Sequence, residues 1–449
     1  MQYTVYSKRW LLAAALNIGI FNYQFTTLSY GAVNNVVTSF FEEIPYATDA
    51  LPVIAHAGGI FVSPFLILFA GKIGVRMQLI FGCVCAFLGM LCNVLGFISR
   101  KTYFLLLIGN SLVGLSDGVF YILPMTLAAS WFPVNERATV IGMAWLSGAV
   151  GYAFSGAPFS GVFGNATDAN VGLISPNRIQ EVFASTFGVL CFLLFVSTIS
   201  VWIFPADHPP SPPTAAQQNI IKQRNEEREA NWQANLKTSV DLLRNRNFLL
   251  LTTSRALTVS VYAMTRVLNS SMILKTFPSM SDSFPGLLRT IGACVAALTS
   301  IVTGRFLDSF GYYKESCVVS FVAIVLCSLG IFLGHHFKNI IAIGMLYPSI
   351  MSVRLPTGVI IPELLLDATY PVNNLIMLTL YNITLNVAAV SFVSLERFIL
   401  EVYDEAMAAL VPLIANILAL LLLLRANPKY KRSAMDERKK SNSVSQTDE

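Results

Sequence analysis

Pro124-Met-Thr-Leu-Ala-Ala-Ser-Trp-Phe-Pro133-Val134-Asn135 returns in the second half of the chain as Pro362-Glu-Leu-Leu-Leu-Asp-Ala-Thr-Tyr-Pro371-Val372-Asn373, at an offset of about 238 residues. Both copies keep Pro, eight residues, then Pro-Val-Asn. A second echo runs at nearly the same offset. Gly71-Lys72-Ile73-Gly74-Val75-Arg76 answers Asp308-Ser309-Phe310-Gly311-Tyr312-Tyr313-Lys314. Each copy joins two hydrophobic stretches. Two matches at one offset point to a duplicated membrane domain, the plan of many secondary transporters, whose substrate site lies between the halves.

The composition fits that plan. The chain has 449 residues, 55% hydrophobic and 12% charged, with mean hydropathy +0.62. A soluble domain carries roughly twice that charged fraction. Lys8 and Arg9 lead directly into an apolar run, so no cleaved signal peptide is expected. The net charge of +5 gives no reason to expect nucleic acid as a partner. All seven cysteines sit inside apolar runs, away from any metal-ligand spacing, and read as packing residues. No phosphate-binding Gly-x-x-x-x-Gly-Lys-Ser/Thr loop, zinc-protease motif or nucleophile elbow is present. The chain therefore reads as neither an enzyme nor an ATP-driven pump, and no cofactor or metal is expected.

A helix spanning a bilayer needs ~20 apolar residues. Six such runs lie near 10–34, 50–71, 76–98, 102–130, 138–161 and 181–204, and six more near 247–274, 285–308, 315–334, 339–367, 375–395 and 406–425. The predicted fold is all-α, with twelve spans in two six-helix bundles, residues 1–204 and 247–425. Residues 205–246, Pro-rich and then charged, form a linker, with a short surface helix over Glu226–Gln233. Residues 426–449 are charged and Ser-rich and read as a disordered tail. Lys and Arg gather in the linker and tail, which places both, and both termini, in the cytoplasm. The first outer loop (Glu42, Glu43, Asp49) and the last (Glu396, Glu401, Asp404, Glu405) are then acidic. The Asn165-Ala166-Thr167 sequon falls outside and is a glycosylation candidate, whereas Asn382-Ile383-Thr384 lies within a span. The plasma membrane is the first expectation for location and an organelle membrane the second. A monomer is expected, with the lipid bilayer and a small-molecule substrate as partners.

Charge at membrane depth costs at least ~2.5–3.5 kcal/mol on insertion scales and therefore asks for a function. Span 2 carries His56, span 4 Asp117, span 7 Arg255 and Arg266, and span 10 Arg354, Glu363 and Asp367. At ~100° per residue, Arg255, Tyr262, Arg266 and Asn269 fall on one stripe of span 7. Tyr23, Thr27, Tyr30 and Asn34 form a weaker stripe on span 1. Arg255 reads as a gate or scaffold partner of Glu363 or Asp367. Asp117 and Arg354 suit pairing and substrate contact equally. Arg266 suits an anionic group or a tie to Asp117. His56 reads as helix packing or a vestibule residue.

Twelve spans in two repeats, a long central loop and the paired loop signatures resemble the major facilitator superfamily. Gly74 and Arg76 fit that superfamily's loop signature. Its usual acid is replaced by Gly71 but kept in the second copy as Asp308, with Gly311 and Lys314. Within the superfamily the chain resembles the FLVCR group, solute carrier family 49. The resemblance rests on Tyr30-Gly31-Ala32-Val33-Asn34-Asn35, Trp131-Phe132 with Ala138-Thr139, Arg244-Asn245-Arg246-Asn247-Phe248, Tyr262-Ala263 through Leu268-Asn269, and Glu363 through Thr369-Tyr370-Pro371.

The resemblance implies choline or ethanolamine transport, with haem as an earlier assignment for the group. It implies a cage of a Trp on span 1 and a Tyr on span 7 around a quaternary ammonium, helped by a Gln on span 4. Tyr262 matches the Tyr. Asp117 stands at the Gln position and Thr27 at the Trp position, with Phe25 the nearest aromatic. Arg266 replaces a neutral residue. The expected activity is alternating-access transport of a small organic solute, a choline-like amine or haem. The rivals are a zwitterionic or anionic metabolite held by the cavity arginines, and a non-transporting receptor or sensor. Expected substrate residues are Asp117, Tyr262, Arg266, Thr27, Phe25, Tyr30, Asn269 and Arg354. Expected gating residues are Asp308, Lys314, Arg76, Arg255, Glu363 and Asp367.

Overall fold

A computed structural model describes residues 7–41, 47–70, 72–132, 134–163, 172, 174–203, 232–280, 283–310, 312–369 and 372–427. Asn165 lies outside them. The first half comprises α1 (Arg9–Ala32), α2 (Asn34–Phe40), α3 (Ala47–Leu68), α4 (Val75–Gly96), α5 (Tyr103–Phe120), α6 (Leu123–Trp131), α7 (Val134–Phe154), α8 (Ala157–Phe163) and α9 (Pro176–Ile203). After α10 (Trp232–Arg244) the second half comprises α11 (Arg246–Thr276), α12 (Ser283–Phe310), α13 (Tyr313–His336), α14 (Ile340–Thr369), α15 (Asn374–Val402) and α16 (Glu405–Arg425).

Among the described residues, eleven helical stretches are long and apolar enough to cross a bilayer; α12, whose apolar stretch Phe284–Ser300 is shorter, takes the twelfth place. Their outer faces carry exposed Phe61, Phe65, Phe192, Leu298, Val319 and Leu326. Such residues suit acyl chains, and helices satisfy their own backbone groups where no water is available.

Proline shapes spans 4 and 10 differently. Pro124 has no N–H for the Phe120 carbonyl, and span 4 breaks there into α5 and α6. The break is closed by Tyr121 N–H to Asp117 O (2.8 Å) and Ile122 N–H to Val119 O (3.1 Å). By contrast, α14 runs unbroken through Pro348, Pro356 and Pro362. Pro356 deprives the Ser352 carbonyl of its helical donor, and Thr299 Oγ1 on α12 donates to it instead (2.7 Å).

Within the first half, α5 presents Gly114 and Gly118 to α3 and Gly109 to α4, so these backbones approach closely. The halves meet through α3–α15 and α7–α12. His56 Nδ1 lies 2.9 Å from Asn386 Oδ1, and Thr290 Oγ1 donates to Ala153 O (3.2 Å). A linker helix occupies Trp232–Arg244; of the expected surface helix Glu226–Gln233, residues 226–231 lie outside the described ones. Asn235 Nδ2 pins it to the Leu68 and Ala70 carbonyls (3.2 and 3.1 Å). Glu396, expected in an outer loop, instead sits within α15 and is 1% exposed. The apolar period of α15 simply continues past it.

Candidate functional site

A central cavity of about 130 Å³ lies between the halves. The first half contributes Tyr23 and Gln24 from α1, His56 from α3, Asp117 from α5, Tyr121, and Trp145 and Tyr152 from α7. The second contributes Arg255 and Tyr262 from α11, Arg354 from α14, and Asn382 and Asn386 from α15. Four of the residues expected at the substrate site or gate thus share one wall system: Asp117, Tyr262, Arg354 and Arg255.

The cavity is aromatic on several sides. Tyr121 and Trp145 meet edge to face at 5.4 Å, and Tyr152 stacks on Tyr262 across the two halves at 6.0 Å. Ring faces attract organic cations through their quadrupole. Trp145 thus brings to the cavity from α7 a ring of the type that the resemblance placed on span 1. Its Nε1 and the Oε1 of Gln24 are buried without a hydrogen-bond partner. His56 couples the halves by facing Tyr23 Oη at 3.3 Å as well as Asn386.

The second-half wall is basic. Arg255 donates through Nη1 to Thr357 Oγ1, and Thr357 Oγ1 donates to the Arg354 carbonyl (2.6 Å). Arg354 is 2% exposed, and its Nε, Nη1 and Nη2 all lack a hydrogen-bond partner. Neither arginine joins an ion pair among the described residues. Leaving a buried guanidinium uncompensated costs several kcal/mol. Among the described residues, Asp117 is the single acid in the lining, against two arginines.

Other expected site residues lie elsewhere. Tyr30 is fully buried in the first-half core, stacked with Phe97 and Phe183 (both 6.5 Å) and accepting from Asn110 Nδ2 (3.4 Å). The span 1 stripe reaches the cavity only through Tyr23; two turns further on, α1 packs against α4 and α9. Thr27 turns its hydroxyl back to the Tyr23 carbonyl (2.8 Å). Phe25 packs on Phe21 and Phe159, and Asn269 is buried outside the lining. Arg255 lines the cavity and bonds Thr357, while the side chains of its expected gate partners, Glu363 and Asp367, lie outside the described ones, as do those of Arg266 and Asp308. Arg76 donates to the Trp202 carbonyl (3.2 Å), tying α4 to α9. Lys314 is half-buried at the start of α13.

The sequence reading missed Gln24, Tyr121, Trp145, Tyr152, Asn382 and Asn386, which are uncharged and carry no signal of depth. It read His56 as helix packing or a vestibule residue, and the residue lines the cavity. It also missed Arg289, buried on α12 with its guanidinium 5.9 Å over the Tyr152 ring.

Two bundles closing on a polar, aromatic cavity define a membrane transporter that exposes its site to each side in turn. The Major Facilitator Superfamily model matches residues 9–362, and the chain belongs to that superfamily. It is 24% identical over 422 residues to the rat choline/ethanolamine transporter FLVCR2, covering 89% of this chain and 71% of the relative. It is 24% identical over 419 residues to zebrafish choline/ethanolamine transporter flvcr2a, covering 88% and 82%. It is 21% identical over 389 residues to solute carrier family 49 member A3 of Xenopus tropicalis, covering 83% and 73%. The solved structure of the Escherichia coli fucose:proton symporter FucP superposes with a TM-score of 0.65 at 13% identity, covering 93% of this chain and 98% of that one. The chain is thus a multi-pass transporter of a small solute by alternating access, not an enzyme.

Proposed function

We propose that the transported solute is a small amine of the choline or ethanolamine class, bound in the central cavity. The observation that carries this is Asp117 on a wall shared with the Tyr121, Trp145, Tyr152 and Tyr262 rings. A carboxylate supplies the counter-charge and the rings supply cation–π walls. The relatives named for choline and ethanolamine support the same class. The cavity volume of about 130 Å³ is below the roughly 300–1,000 Å³ of pockets for drug-sized ligands, which favours a small amine over haem.

In this reading residues 1–204 and 247–425 rock against each other about the cavity. The linker 205–246, both termini and the tail 426–449 face the cytoplasm, and Asn165 faces outside and is glycosylated. The protein works as a monomer in the plasma membrane. Arg76, Asp308, Lys314, Glu363 and Asp367 control the gates. The test is uptake of radiolabelled choline and ethanolamine by proteoliposomes. The parent protein takes up at least one of them, and Asp117→Asn lowers that uptake by about tenfold or more, the scale of a charge-assisted hydrogen bond. Failure of the parent to take up any amine, in an orientation-controlled preparation, sinks the proposal.

A further inference from the structure

We infer that the solute carries an anionic group of carboxylate size as well as its amine, and that Arg354 is the residue that receives it. The inference deepens the amine reading and rests on the same cavity.

The argument starts from what Arg354 lacks. A guanidinium offers five N–H donors in a planar fork, and here all three nitrogens are buried without an acceptor. Span 10 cannot carry it to water, because Arg354 sits mid-helix in α14 and is 2% exposed. Its own side of the cavity offers no acid among the described residues. Arg255 adds a second positive charge to the same wall and spends one nitrogen on the neutral Thr357 hydroxyl. The described lining therefore holds two arginines against one aspartate, a poor bed for a solute that is only a cation. A carboxylate docked on Arg354 would satisfy the fork in two places and lower the repulsion between the arginines. The polarity is also ordered in space. Asp117 and Trp145 belong to the first half, Arg255 and Arg354 to the second. A zwitterion lying across the cavity would then touch one half with each end. Its binding would draw the halves together, which a simple cation cannot do as well.

Two matched pairs test this. Glycine betaine is choline with its hydroxymethyl carbon oxidised to a carboxylate, and glycine stands in the same relation to ethanolamine. The purified full-length protein is reconstituted and uptake of all four is measured, with propionate as an anion lacking the amine. The expected result is that the carboxylate member of at least one pair is preferred about tenfold or more, and that Arg354→Gln lowers uptake of the carboxylate member about tenfold more than that of the alcohol member, so that the preference is lost. The parent's preference needs no variant, so a misfolded Arg354→Gln leaves the test intact; Arg354→Lys, which keeps the charge, should retain part of it. Preference for the alcohols in the parent overturns the inference and leaves the amine reading standing. An equal loss of all solutes in Arg354→Gln, at normal thermal stability, also overturns it, by making the arginine structural. Uptake of propionate without either amine pair would sink the amine reading and, with it, the inference that amine and anion are recognised together.

Discussion

Gly114 on α5 is the position where a single methyl group should do the most damage. A Cβ built there would fall on the Ala55 carbonyl of α3, 2.7 Å from its carbon and 2.9 Å from the Ala55 Cα. These are backbone atoms inside a packed helix, so no rotamer change relieves the clash. Ordinary contact begins at 3.4 Å, and because the Ala55 oxygen lies closer still than its carbon, α3 and α5 must separate by more than about 0.7 Å. The neighbouring positions leave little slack, since a Cβ built at Gly118 would lie 3.1 Å from the Gly59 backbone and one at Gly58 would lie 2.9 Å from the Leu115 nitrogen. Overpacking of this kind costs about 1–3 kcal/mol, roughly 5- to 150-fold in the ratio of folded to unfolded protein. The shift also reaches the cavity, because Ala55 adjoins His56 and Asp117 lies one turn beyond Gly114. The expected result for Gly114→Ala is a lower melting temperature by detergent thermal shift and reduced uptake in proteoliposomes. Gly188→Ala on α9, with nothing within 4 Å of its Cβ, is the control and should match or slightly exceed the parent, since Ala is the better helix former by ~1 kcal/mol. If Gly114→Ala melted with the parent and transported fully, the close α3–α5 approach would be wrong.

Two further outcomes test the proposed conformational cycle and membrane orientation. Asp308→Asn in the final turn of α12 should lower the turnover rate far more than ligand affinity, because its loop signature, with Lys314, is proposed to hold one end state. Lost binding at unchanged turnover would contradict this. An epitope placed after residue 427 should stain only permeabilised cells; staining of intact cells would reverse the proposed topology.

The repeat at Pro124 and Pro362, twelve apolar runs and low charge made the two-bundle membrane fold legible without coordinates, because lipid imposes a single demand on every span. The same physics exposed Asp117, Arg255 and Arg354, since charge at depth is costly wherever it occurs. The uncharged lining stayed hidden. Trp145 and Tyr152 look in sequence like the aromatics that pack Tyr30 against Phe97 and Phe183. Periodicity marks a polar face but not how far along it the cavity extends, so Tyr23 reached the site and Tyr30 did not. What the sequence determined was a transporter with buried charge between two related halves. Only the tertiary structure decided which charges face each other's half and which are left without a partner. That depends on how far apart α5, α11 and α14 are held, a distance set by packing between residues more than a hundred positions apart in the chain.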